Sequence, residues 1–102
     1  MKEQLLYFKK SNIKGKKYSA FVENKTTKRI RKLDFGGLDY EQYKDRTNLG
    51  LYSKKNHLTK RRQQNYYNRH SGTKSRVKAI QLEKTRSKGY YTPKILSHMY
   101  LW

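Results

Sequence analysis

The sequence predicts an α+β fold: a small antiparallel β-hairpin or sheet in the N-terminal third, then two or three short helices, with little core. Three observations predict it. A run with period two over residues 18–23 is followed by a turn and a second β-rich run. A polar segment from residue 60 carries start and stop residues suited to a helix. Thr92-Pro93 opens a short amphipathic tail. We read residues 1–102 as one domain, β-rich over 1–37, loop-rich over 38–58 and helical over 59–102.

Tyr18, Ala20 and Val22 alternate with Ser19, Phe21 and Glu23, the spacing of a strand with two unlike faces. Asn24-Lys25-Thr26-Thr27 supplies a turn, and Arg29 to Phe35 pairs back. Tyr7 and Phe8 add a third strand if Asn12 to Gly15 turns the chain. Gly36-Gly37 ends the hairpin, because paired glycines favour unusual backbone angles. Thr59 is an N-cap residue for a helix over 60–70, and Ser71-Gly72 is its stop, with Arg69 and His70 at the negative end of the dipole. That helix is polar almost throughout, so it belongs on a surface. Residues 75–86 form a second helix or a strand. In the tail, Thr92 caps and Pro93 takes the first helical position, where its missing N–H costs nothing. Ile95 with Met99 and Leu96 with Tyr100 are i,i+4 pairs, and Trp102 follows Met99 by three. A helix this short is not stable alone in water, so it docks on the sheet or on a neighbour.

Charge narrows the function. The chain has 26 Lys and Arg against 7 Asp and Glu, a net charge of +19. Two basic blocks, 1–36 (+8) and 59–91 (+9), flank a nearly neutral middle. Leu, Ile, Val and Phe make up just under a fifth of the residues, a composition that at this charge goes with disorder; ten tyrosines pull the other way. We therefore expect acidic surfaces to offset the self-repulsion. Cysteine is absent, which excludes disulfides, thiolate zinc sites and cysteine nucleophiles. No apolar run approaches the roughly 20 residues that cross a bilayer, and the four-residue patch Leu5 to Phe8 is too short for a signal-peptide core. Synthesis in a reducing compartment is the default.

The candidate contacts for a polyanion are Lys28, Arg29 and Arg31 on the hairpin and Lys60, Arg61, Arg62 and Arg69 on the helix. Tyr66, Tyr67, Tyr90 and Tyr91 are candidate aromatic contacts, able to stack on bases or guanidinium planes. Ile95, Leu96, Met99, Tyr100 and Trp102 are the candidate apolar dock. His57, His70 and His98 have no spacing suited to a metal. Asp39, Glu41 and Asp45 are expected to pair with Lys44 and Arg46. A chain with so little core is a poor host for a pocket that shifts a carboxylate pKa, so neither an enzyme nor a cofactor is expected.

From Phe35 onward the order of residues carries a resemblance. Phe35-Gly36, Asp39-Tyr40 and Tyr43, Arg61-Arg62 with Tyr66 or Tyr67, Arg69-His70, then Thr92, Ser97 and Leu101-Trp102 resemble a family of small, basic, mostly uncharacterised proteins of large eukaryotic double-stranded DNA viruses with icosahedral capsids. The resemblance covers about two thirds of the chain. The tryptophan usual after the Arg-His step is missing, and Ser75 to Arg86 looks like an insertion. The resemblance implies a virion-associated protein made in the host cytoplasm, and it brings no enzyme activity. The function expected is that of a minor capsid-cementing or adaptor protein whose partners are acidic patches of other virion proteins. Nucleic acid and inner-membrane headgroups are the other polyanions its charge suits. The alternative is a nucleic-acid-binding protein without sequence specificity, for genome condensation or ribosomal-type RNA binding.

Overall fold

Tyr18, Ala20 and Val22 are sealed from solvent, and this inward row positions the rest of the molecule. The computed structural model describes all 102 residues. Strands β1 (Glu3–Lys10), β2 (Lys16–Asn24) and β3 (Ile30–Gly37) form one antiparallel sheet in that order. Opposite the inward row of β2 stand Phe8 of β1 and Leu33 and Phe35 of β3. At the β2–β3 turn the Asn24 side-chain oxygen accepts from the Thr26 and Thr27 amides, an Asx turn that fixes the register. A bulge between Leu5 and Tyr7 bends β1 and leaves Leu6 exposed. The third strand inferred from Tyr7 and Phe8 thus exists and is longer than those two residues.

Helices α1 (Lys60–Ser71), α2 (Arg76–Arg86) and α3 (Pro93–Tyr100) follow. Gly72, at φ +74°, ends α1 in the left-handed conformation. Thr92 Oγ1 accepts from the Ile95 amide at 3.1 Å, capping α3 as its sequence predicts. Thr59 sits at the N-cap of α1, but its side chain makes no capping bond; its hydroxyl turns back to the His57 carbonyl. Residues 75–86, left open between helix and strand, are helical, with Ser75 as the cap.

The core is the inner face of the sheet closed by the C-terminal segment. Phe8, Tyr18, Ala20, Val22 and Phe35 meet Tyr91, Ile95, Leu96 and Leu101. Of the two docks expected for the tail, the sheet or a neighbour, it takes the sheet, so these side chains are not free to hold a partner. Ile95 and Leu96 are fully buried against the chain's own sheet, and Met99, Tyr100 and Trp102 pack half-buried beside them. Only 22 of 102 residues are buried, so the core is small, as the composition predicts.

The irregular segment 38–58 is pinned by polar bonds rather than by a core of its own. Asp45 accepts from the Tyr18 hydroxyl, the Thr47 amide and hydroxyl, and the Tyr52 amide. It does not pair with Lys44 or Arg46 as expected, because four uncharged donors already occupy it. Two amides of the same segment, Lys44 and Arg46, bond to the carbonyls of Leu101 and Tyr100. The loop is thereby tied to the end of the chain.

Candidate functional site

A helix repeats its face every three to four residues, and on α1 the positions i, i+4, i+7 and i+8 are Arg62, Tyr66, Arg69 and His70. This stripe forms one wall of a cleft of about 630 Å³. The opposite walls are Lys16 and Lys17 with Gly36 and Gly37, where β2 and β3 meet, and Pro93, Lys94 and Ser97 on α3. Tyr40, Glu41 and Gln42 lie along the loop side, and Phe35, Leu101 and Trp102 complete the lining. Five Lys and Arg side chains therefore face one carboxylate, Glu41. Glu41 touches Arg62 at 3.1 Å with both side chains about half exposed, an ion pair of little energetic consequence in that setting.

Lys17 is buried and donates to the carbonyl oxygens of Gly37 and Tyr40, each at 2.6 Å. Burial, reinforced by Lys55, lowers its pKa to about 8. Two of the three ammonium protons go to these carbonyls, which holds the turn that carries Tyr40. The close approaches here need glycine. A Cβ on Gly36, whose φ is +80°, would meet Leu101 Cδ1 at 2.8 Å, and one on Gly37 would lie 2.3 Å from the Tyr40 ring. Trp102 stacks face to face on Tyr66, with centroids 4.2 Å apart and planes 4° from parallel. Gln42 donates to the Tyr52 carbonyl and the Asn56 side chain, while its own oxygen is buried without a partner.

Beneath the α1 wall runs a buried polar chain. Ser71 Oγ lies 2.8 Å from both Glu83 Oε2 and His98 Nε2, and His98 Nδ1 lies 2.9 Å from the Tyr66 hydroxyl. A carboxylate only accepts, so the single Ser71 proton goes to Glu83. Ser71 must then accept from His98 Nε2–H, and His98 Nδ1 accepts from Tyr66. Burial lowers the pKa of His98 to about 4 and raises that of Tyr66. The histidine thus donates to the serine instead of drawing its proton, and this geometry does not activate the hydroxyl.

The predicted contact residues divide. Arg62 and Arg69 reach the cleft. Lys60 lies over the Tyr43 ring at 5.1 Å, and Arg61 is exposed. Lys28 and Arg29 are exposed at the β2–β3 turn, at the other end of β2 from Lys16. Arg31 is a structural clamp and not a free anchor. It grips Glu3 through Nε and Nη2 (2.7 and 2.9 Å) and bonds the Tyr91 carbonyl, while the Tyr91 amide donates back to Glu3. Tyr66, Tyr67 and Tyr91 are buried, which corrects their reading as surface stacking residues: α1 turns the first two onto His98, and Tyr91 joins the core. Tyr90 alone of the four is exposed, under Lys2. Lys16, Lys17 and Lys94 stand outside every sequence motif, and Tyr40 enters only through the Asp39-Tyr40 step of the resemblance. The α1 stripe was legible in it; the gathering of strand ends and α3 around that stripe was not.

No family model, curated protein or solved structure matches this chain. Of the residues that carry the sequence resemblance, some come together in space, whereas Asp39, Tyr43, Arg61, Tyr67 and Thr92 do not line the cleft. Phe35, Gly36 and Tyr40, then Arg62, Tyr66, Arg69 and His70, then Ser97, Leu101 and Trp102 all line the one cleft. No helix is long and apolar enough to cross a membrane.

Proposed function

We propose that this protein is a non-enzymatic adaptor of a large double-stranded DNA virus particle, a minor structural component that binds acidic surfaces of neighbouring proteins. The observation that carries the reading is the make-up of its exposed surface. Twenty-six cationic residues share five ion pairs, so most of the charge awaits external partners. Among these cations stand exposed aliphatic side chains: Leu6, Ile13 and Ile30 on the sheet and its turns, Leu49, Leu51 and Leu58 on the loop, and Val77 on α2. Aliphatic groups have no π-face for a base and gain nothing from a phosphate. The arginine and tyrosine beside them are residue types in which protein interfaces are enriched. The aliphatic side chains lie on the sheet, the loop and α2, several faces of one molecule, which suits a chain embedded among several neighbours.

Cross-linking mass spectrometry on purified particles tests the proposal. Lysines of the hairpin turn and of α2 are expected to link to acidic segments of capsid proteins. Absence of the chain from the particles, or cross-links confined to enzymes of replication, would overturn it.

A further inference from the structure

The cleft differs in chemistry from the rest of the surface. Of the large apolar side chains that are exposed, only Tyr40 lines it; the aliphatic ones all lie elsewhere. We propose that the cleft is a binding site for single-stranded nucleic acid, with backbone phosphates held by Lys16, Arg62, Arg69 and Lys94 and a base stacked on Tyr40. The adaptor would then have a second kind of partner, and its protein contacts would use other faces.

Three features support this assignment. Arg62 and Arg69 are seven residues apart on one helix face, about 10 Å along the axis, so two guanidinium forks can engage separate phosphates. Tyr40 is 75 % exposed, and the edge of its ring lies against Gly37, where a Cβ would meet the ring carbon Cδ2 at 2.3 Å. The ring is thus steadied at its edge while most of it stays open to solvent, so a base can stack on it. The cleft is concave and about 630 Å³, which admits a splayed nucleotide but not a rigid duplex. An acidic peptide would satisfy the cations and leave the open tyrosine face unused.

The test is fluorescence anisotropy with an end-labelled oligodeoxythymidylate of about ten residues, a length within the site sizes of single-strand binders, titrated across a salt series. Each phosphate neutralised on a single strand contributes about 0.7 to the log–log salt slope. The Arg62→Gln/Arg69→Gln variant is therefore expected to lower that slope by about 1.4 and to weaken binding about tenfold or more at low salt. Tyr40→Ala is expected to weaken binding at least about fivefold with the slope unchanged. Lys25→Gln/Arg29→Gln, at the distant hairpin turn, removes the same charge and is expected to stay within about twofold of the parent. All five positions are exposed, so the variants retain the fold, which circular dichroism checks. Failure to bind the oligonucleotide at low salt, an equal loss in the hairpin-turn control, or tighter binding of a polyglutamate peptide to the same cleft would each overturn the proposal. The adaptor reading is decided separately, by the particle cross-links.

Discussion

At the residue scale, His98 makes folding sensitive to acid. It is sealed from water among Tyr66, Tyr67 and Ser71, with Glu83 on the far side of Ser71 and with His70, Lys94 and Arg76 as further charges or potential charges nearby. Burial holds its pKa at about 4 in the folded chain, against 6.5 ordinarily. The unfolded chain therefore takes up the proton first. Stability is complete above the ordinary value and falls as pH drops from it toward the folded one. Glu3 acts lower down: hydrogen bonds from Arg31 hold its pKa below the ordinary 4.5 despite burial, so its contribution is present above 4.5 and is lost as pH falls through the folded value. Urea unfolding at pH 7 and pH 5 is expected to show a loss on the order of 2 kcal/mol, and His98→Gln is expected to remove most of that difference. Ser71→Ala leaves both Glu83 and His98 short of a partner in the interior and is expected to cost about 1–3 kcal/mol at neutral pH by the same measurement.

At the scale of elements, α1 opens with Lys60, Arg61 and Arg62 and has no acidic residue in its first turn. These cations stand at the positive end of the helix dipole, and the Thr59 side chain offers no compensating cap. Arg61→Glu is expected to raise stability by about 0.3–1 kcal/mol, seen as a higher melting temperature, while weakening attachment to any acidic partner. The strand-turn element is constrained in the opposite sense. Gly36→Ala places a Cβ at positive φ and against Leu101, and is expected to lower the melting temperature by an amount corresponding to about 1–3 kcal/mol. Local signals of this kind made most of the elements readable: the alternation over 18–23, the glycine after α1, the threonine and proline before α3. Residues 38–58 were readable only as a loop, because their order comes from Asp45 reaching Tyr18 and from amides bonding to residues 100 and 101, partners far away in the chain. The burial of Tyr66 and Tyr67 was hidden for the same reason. A tyrosine on a polar helix has the composition of a surface residue until α3 brings His98 against it.

For the whole molecule, self-repulsion outweighs internal attraction. A net charge of +19 is set against five ion pairs, most of them with a half-exposed partner. The chain nevertheless packs to a radius of gyration of 13.4 Å, close to the roughly 13 Å of an ordinary folded domain of about this length. Added salt screens both signs of interaction, and here repulsion is the larger sum. The melting temperature is therefore expected to rise between about 0.05 and 0.5 M sodium chloride. A flat or falling trend would mean that local pairs dominate. The cleft belongs to this scale too. Its chemistry was visible piecewise, in Arg62 and Arg69 and in the Phe-Gly step, but its shape comes from the closing of the last helix over the sheet.

Trp102 is the only tryptophan in the chain, and it lies in the cleft, flat on Tyr66 and 5.3 Å from the ring of His57. The protein thus carries its own optical reporter where a ligand would enter. Ultraviolet emission follows the wetness of that indole edge, so occupancy can be read from unlabelled protein by the colour of its light.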